Sequence, residues 1–108
     1  MVRRVFFALF PGCEILDVAG PVQALFEAKD HGAQYEIHYC ALTPSVRTAQ
    51  GLEFASLIPL PDVTAADWVF VPGYPVITMQ PPLALVAWLQ QAAAKGARTK
   101  AVKKVGSW

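Results

Sequence analysis

The chain has 108 residues, 55% hydrophobic and 16% charged, with a formal net charge of +1. Those values exclude a globally disordered chain and leave room for one domain with a buried core. No stretch of about 18 apolar residues occurs, as a membrane-spanning helix would need. The apolar run behind Arg3 and Arg4 stops after Phe10 at a Pro-Gly turn, too short for a secretory leader. A cytoplasmic protein with no membrane partner is therefore expected. Cys13 and Cys40 lie 27 positions apart without a Cys-x-x-Cys pair, and the two histidines show no ligand spacing. Free thiols are expected, and neither a metal nor another cofactor.

Arg4 to Phe10 is a continuous apolar run closed by Pro11-Gly12, which predicts a strand buried on both faces and central in a parallel sheet. After the loop from Pro11 to Leu16, Asp17 suits the N-cap of a helix carrying Val22, Leu25 and Phe26, ended at His31-Gly32. Tyr35 to Leu42 has β-rich composition in partial alternation and predicts a second strand, broken by Thr43-Pro44. Val46–Thr48 and Leu52–Ala55 flank Ala49-Gln50-Gly51, a spacing that predicts a short hairpin at a sheet edge. Trp68 to Val71 is another solid apolar strand, stopped by Pro72-Gly73-Tyr74-Pro75. Leu85, Val86, Leu89, Ala92 and Ala93 recur at helical spacing between Pro81-Pro82 and Lys95-Gly96, so both ends of a second helix are marked. Ala101, Val102 and Val105 are candidates to open one more strand, interrupted by lysines.

This order predicts an α/β fold built on a doubly wound parallel sheet, with functional groups in the crevice beyond the carboxyl ends of the strands. Two loops qualify, Pro11–Asp17 and Pro72–Pro75. Charge is unevenly spread: all eight acids and four basic residues fall in residues 1–67, and five basic residues with no acid in residues 68–108. Without interleaved aromatics or a reading helix, the basic end reads as a solvated surface, and direct nucleic-acid binding is not expected.

Four blocks occur in order along the chain. They are Leu9-Phe-Pro-Gly-Cys-Glu-Ile-Leu-Asp-Val-Ala-Gly-Pro21, Val46-Arg-Thr-Ala-Gln-Gly-Leu52, Asp67-Trp-Val-Phe-Val-Pro-Gly73, and Trp88-Leu followed by Lys95-Gly-Ala-Arg-Thr99. Together they resemble the ThiJ/PfpI superfamily, and within it the amidase-like amino-terminal domain of AraC-type transcription regulators and the isocyanide hydratases. The resemblance implies a glutamine-amidotransferase-like, flavodoxin-type fold. It also implies a cysteine nucleophile on a sharp turn after the strand that follows Gly-Ala-Arg, where a helix amino end would lower the thiol pKa. This chain instead continues from Lys100 to Trp108 without a cysteine. It is therefore read as roughly the amino-terminal half of such a domain, with residues 1–99 a partial ThiJ/PfpI-like domain and 100–108 a divergent basic tail. A premature end or a reading-frame change near residue 100 is the expectation.

On this resemblance Asp17 matches the acidic partner of the nucleophile or substrate, a role weighed against plain N-capping. Gly73 and Tyr74 match the stretch whose backbone amides bind an oxyanion. Tyr74 stands where a second glycine is expected, and would fit poorly if that position needs a positive φ. Cys13 is the one thiol in a candidate loop, a second-choice nucleophile set against the commoner fate of a small buried hydrophobe. Glu14 is read as solvated loop, Cys40 as core. The leading expectation is a catalytically silent fragment related to the ligand-sensing domain of AraC-type regulators, with a small-molecule ligand and self-association into a homo-oligomer. The alternatives are a cysteine-dependent hydrolase or hydratase of the isocyanide hydratase or amidase type, and a non-catalytic binding or dimerisation domain.

Overall fold

The computed structural model describes residues 2–101. Its main sheet has five strands. β1 (Arg3–Ala8) lies at the centre; β2 (Tyr35–Ala41) and then the two-residue β5 (Ile58–Pro59) flank it on one side, β6 (Trp68–Val71) and then β7 (Arg98–Ala101) on the other. Every pairing in this sheet is parallel. Parallel neighbours need crossovers, and two helices supply them: α1 (Ile15–Ala28) between β1 and β2, and α2 (Leu83–Ala94) between β6 and β7.

The helices pack on opposite faces, which is why β1 must be apolar throughout. Val5, Phe7 and Leu9 pack with Val18, Val22 and Leu25 of α1, whereas Phe6, Ala8 and Phe10 pack with Leu85, Trp88 and Leu89 of α2. Side chains alternate along a strand, so only a continuous apolar run can serve both layers. Burying a phenylalanine such as Phe6 or Phe7 contributes roughly 1.5–3 kcal/mol. Trp88 also donates its indole N–H to the Pro61 carbonyl at 2.9 Å, tying α2 to the approach to β6.

At the opposite end of the sheet, Arg4 grips Asp67 with two hydrogen bonds, Nε to Oδ1 at 3.0 Å and Nη2 to Oδ2 at 2.6 Å. The Thr64 amide donates to the same carboxylate at 2.8 Å. Burial alone would raise the Asp67 pKa, but the bonds from Arg4 and Thr64 prevail and hold it below the usual carboxylate range.

Both helix ends fall where glycine permits. After α2, Gly96 takes φ +91°. Its amide bonds the Ala93 carbonyl and the Ala97 amide bonds the Ala92 carbonyl, the paired pattern of a left-handed helix stop. α1 runs on into a 3-10 turn, Lys29–His31, closed by Gly32.

Three expectations change. Asp17 does not cap α1: Glu14 occupies the cap position without a side-chain cap bond, and Asp17 lies inside the first turn, its carboxylate drawn to another loop. The hairpin, β3 (Val46–Arg47) with β4 (Glu53–Phe54), forms a separate two-stranded sheet. Its backbone bonds the loop after β1, with the Gly12 amide donating to the Arg47 carbonyl at 2.8 Å and the Ala49 amide to the Cys13 carbonyl at 2.9 Å. The edge beside β2 belongs to β5, whose Pro59 suits an edge because it has no N–H to donate. Finally, β7 begins at Arg98, ahead of the strand expected from Ala101; Val102 and Val105 lie outside the described residues.

Candidate functional site

Chain order sets the location of the crevice. From β1 the chain winds outward through β2 and β5, then returns to the other side of β1 and winds outward through β6 and β7. Adjacent strands whose connections leave in opposite directions open a crevice at their carboxyl ends. Here that point lies between β1 and β6, so the loops Leu9–Glu14 and Pro72–Pro75 face one another.

The two loops are joined directly. The Gly73 amide donates to Asp17 Oδ2 at 3.0 Å, and the Glu14 amide donates to the Gly73 carbonyl at 2.9 Å. Asp17 is only 5% exposed. One face of the first turn of α1 thus presents a buried carboxylate to the loop after β6. Phe10 and Tyr74 meet edge to face across the same junction, centroids 5.8 Å apart. Among the described residues the non-glycine with a positive φ is Ser56, so Tyr74 does not take the left-handed backbone that would have fitted it poorly.

Glu14 is buried, at 7% exposure, rather than solvated. The reason is Gln50, at the tip of the hairpin: its Nε2 donates to Glu14 Oε2 at 2.7 Å, while its Oε1 accepts the Ile15 amide at 3.0 Å. One side chain therefore pairs a carboxylate and serves one of the first free amides of α1. Sequence reasoning missed Gln50, whose partners lie 35 and 36 positions away; its one local sign was its place beside Gly51 in the turn. The Gly12 turn also contributes. With φ +88°, and with Met79 Sδ where a side chain would begin, it lets the loop approach the Met79 side chain closely.

Cys13 sits in this loop but turns inward, fully buried in the core that also holds Phe10, Cys40 and Leu85. Burial pushes its thiol pKa up, against weaker lowering by backbone hydrogen bonds. Cys40 is core as expected, its thiol pushed to about 12 by burial. The structure thus brings together Asp17, Gly73 and Tyr74, with Cys13 behind them, and adds Glu14 and Gln50. Among the described residues, no three His, Cys, Asp or Glu side chains are placed to hold a metal ion, and no helix is long and apolar enough to cross a membrane.

No protein-family profile and no curated protein sequence matches the chain. Solved structures do match. An AraC family transcriptional regulator from Pseudomonas putida superposes with TM-score 0.70 at 22% identity, over 92% of this chain and 55% of that one. DJ-1beta of Drosophila melanogaster gives 0.71 at 16% identity, over 94% and 55%. The thiJ/pfpI family protein from Bacillus anthracis gives 0.71 at 15%, over 94% and 50%. The chain therefore spans about half the length of the solved proteins it matches, and over that span it has the fold shared by DJ-1, ThiJ/PfpI proteins and AraC-family regulators.

Proposed function

We propose that this chain is a ligand-binding piece of the ThiJ/PfpI fold, related to the sensing domain of AraC-type regulators, and performs no thiol chemistry of its own. The observation that carries this reading is the Asp17–Gly73 hydrogen bond. An acid partner must hold or pass a proton, and an oxyanion site needs free amide donors. Here the candidate carboxylate and the candidate amide occupy each other. The one thiol nearby, Cys13, is buried with a raised pKa, opposite to what activates a nucleophile.

Native-state alkylation with iodoacetamide tests it. Both thiols should react no faster than free cysteine at neutral pH. A thiol that reacts faster than free cysteine overturns the silent reading in favour of a cysteine-dependent hydrolase or hydratase.

Self-association belongs to the same proposal. All four residues of β7 are exposed, and among the described residues the strand pairs only with β6. An open strand edge recruits further strands. Light scattering should show a mass that rises with concentration; a constant monomer mass across the series would contradict it.

A further inference from the structure

On the sheet face covered by α1, a cavity of about 390 Å³ opens between the helix, β2 and the β3–β4 hairpin. That volume falls within the range of roughly 300–1,000 Å³ typical of small-molecule sites. Leu9 and Val18, both buried, belong to its lining, with Val22 of α1 and Phe54 of β4. None of the lining residues is charged, and Tyr39 and Ser56 supply its hydroxyl groups.

We propose that this cavity binds an uncharged, largely apolar small molecule with one hydrogen-bonding group. A charged ligand would lose hydration there without gaining a partner, whereas a neutral one needs only to match a hydroxyl. Burial raises the pKa of Tyr39, so its phenol stays neutral and can donate as well as accept. Ser56 adds an independent sign. It holds φ +60°, the left-handed region that side chains rarely adopt, and the next residue is anchored by the Leu57 amide donating to the Pro44 carbonyl at 3.0 Å. Backbone held in that region clusters at ligand-contacting walls.

The inference deepens the ligand-binding reading by naming the ligand class, and it places the ligand apart from the Asp17–Gly73 contact. Val18 lines the cavity while Asp17, the preceding residue, reaches the loop after β6. A ligand pressing on Val18 would therefore act on the same helical turn that holds that contact.

The test titrates the full chain with the neutral fluorescent probe N-phenyl-1-naphthylamine. Saturable one-to-one binding is expected. Ala19→Trp, which fills the cavity from α1, should weaken it by about tenfold or more, while Ala24→Trp, an equal change at an exposed helix position outside the lining, should leave it within about twofold. Leu52→Arg, half-exposed in the lining, should weaken it similarly and serves if Ala19→Trp does not fold by circular dichroism. Binding that does not saturate, or that both lining variants leave intact, overturns the proposal. So does binding that disappears as the chain associates, because a second copy would then be the occupant. Thiol alkylation on the same samples stays independent: rapid alkylation would overturn the silent reading and leave the cavity result standing.

Discussion

Asp17 and Gly73 are 56 positions apart in the chain, and the hydrogen bond between them closes the crevice at the point where the sheet changes its direction of winding. The bond joins a helix on one side of β1 to the loop leaving β6. It gives the Gly73 amide a buried, charge-assisted acceptor in place of water.

Removing that acceptor should destabilise the fold. Asp17→Ala leaves the Gly73 amide unpaired in a buried place, which costs about 1–3 kcal/mol. Asp17→Asn keeps a carbonyl oxygen of the same reach and should lose less. Urea denaturation of both variants measures the difference; equal stability of Asp17→Ala and the parent would show that water replaces the carboxylate there.

Gln50 should matter more than its place at a hairpin tip suggests. Gln50→Ala removes one hydrogen bond to Glu14 Oε2 and the side-chain acceptor of the Ile15 amide. Water can reach the exposed Ile15 amide, so a loss of about 0.5–1.5 kcal/mol is expected, with faster hydrogen exchange at Ile15. Exchange at Ile15 as slow as in the parent would show that this bond does not hold the start of α1.

Acid should loosen the amino-terminal end of the sheet once Asp67 is protonated. Asp67 has its folded pKa held below its ordinary value of 3.8. Its contribution is therefore fully present above that ordinary value and is lost as pH falls through the lower folded value. Asp67→Asn should lower the melting temperature at neutral pH and reduce the fall in stability on acidification. Unchanged acid sensitivity in that variant would place the effect on other carboxyls.

Gly96→Ala should destabilise by about 1–3 kcal/mol, from a left-handed φ imposed on a side-chain residue. The new Cβ would also stand 3.2 Å from that of Ala65, so the neighbouring segment must yield slightly. Thermal melting checks it, with Gly20→Ala as the contrast: its added Cβ meets nothing within 4 Å, and inside α1 alanine is the better helix former by about 1 kcal/mol.

What could be read from the chain alone was local or periodic. The apolar run from Val5 to Phe10 located the central strand, because only a position between two layers tolerates apolar side chains on both faces. Gly32 and Gly96 located helix ends, because the left-handed stop requires a residue without a Cβ. The β-α-β order then selected a doubly wound sheet, and the sheet selected the two loops that matter. Tertiary structure decided the rest. A two-residue strand such as β5 has too short a pattern to recognise, and acquires its meaning only by pairing with Cys40 and Ala41. The hairpin was legible, but its position was not, since a turn signal says nothing about which loop its tip will meet. Asp17 illustrates the same limit. An aspartate ahead of an apolar helix suits a cap by its chemistry, and the fold drew its carboxylate instead to an amide that no local pattern brings near. Gln50 and Glu14 follow the same physics: hydrogen bonds between residues distant in sequence exist only once packing has placed both ends, so they are determined last, by the whole sheet.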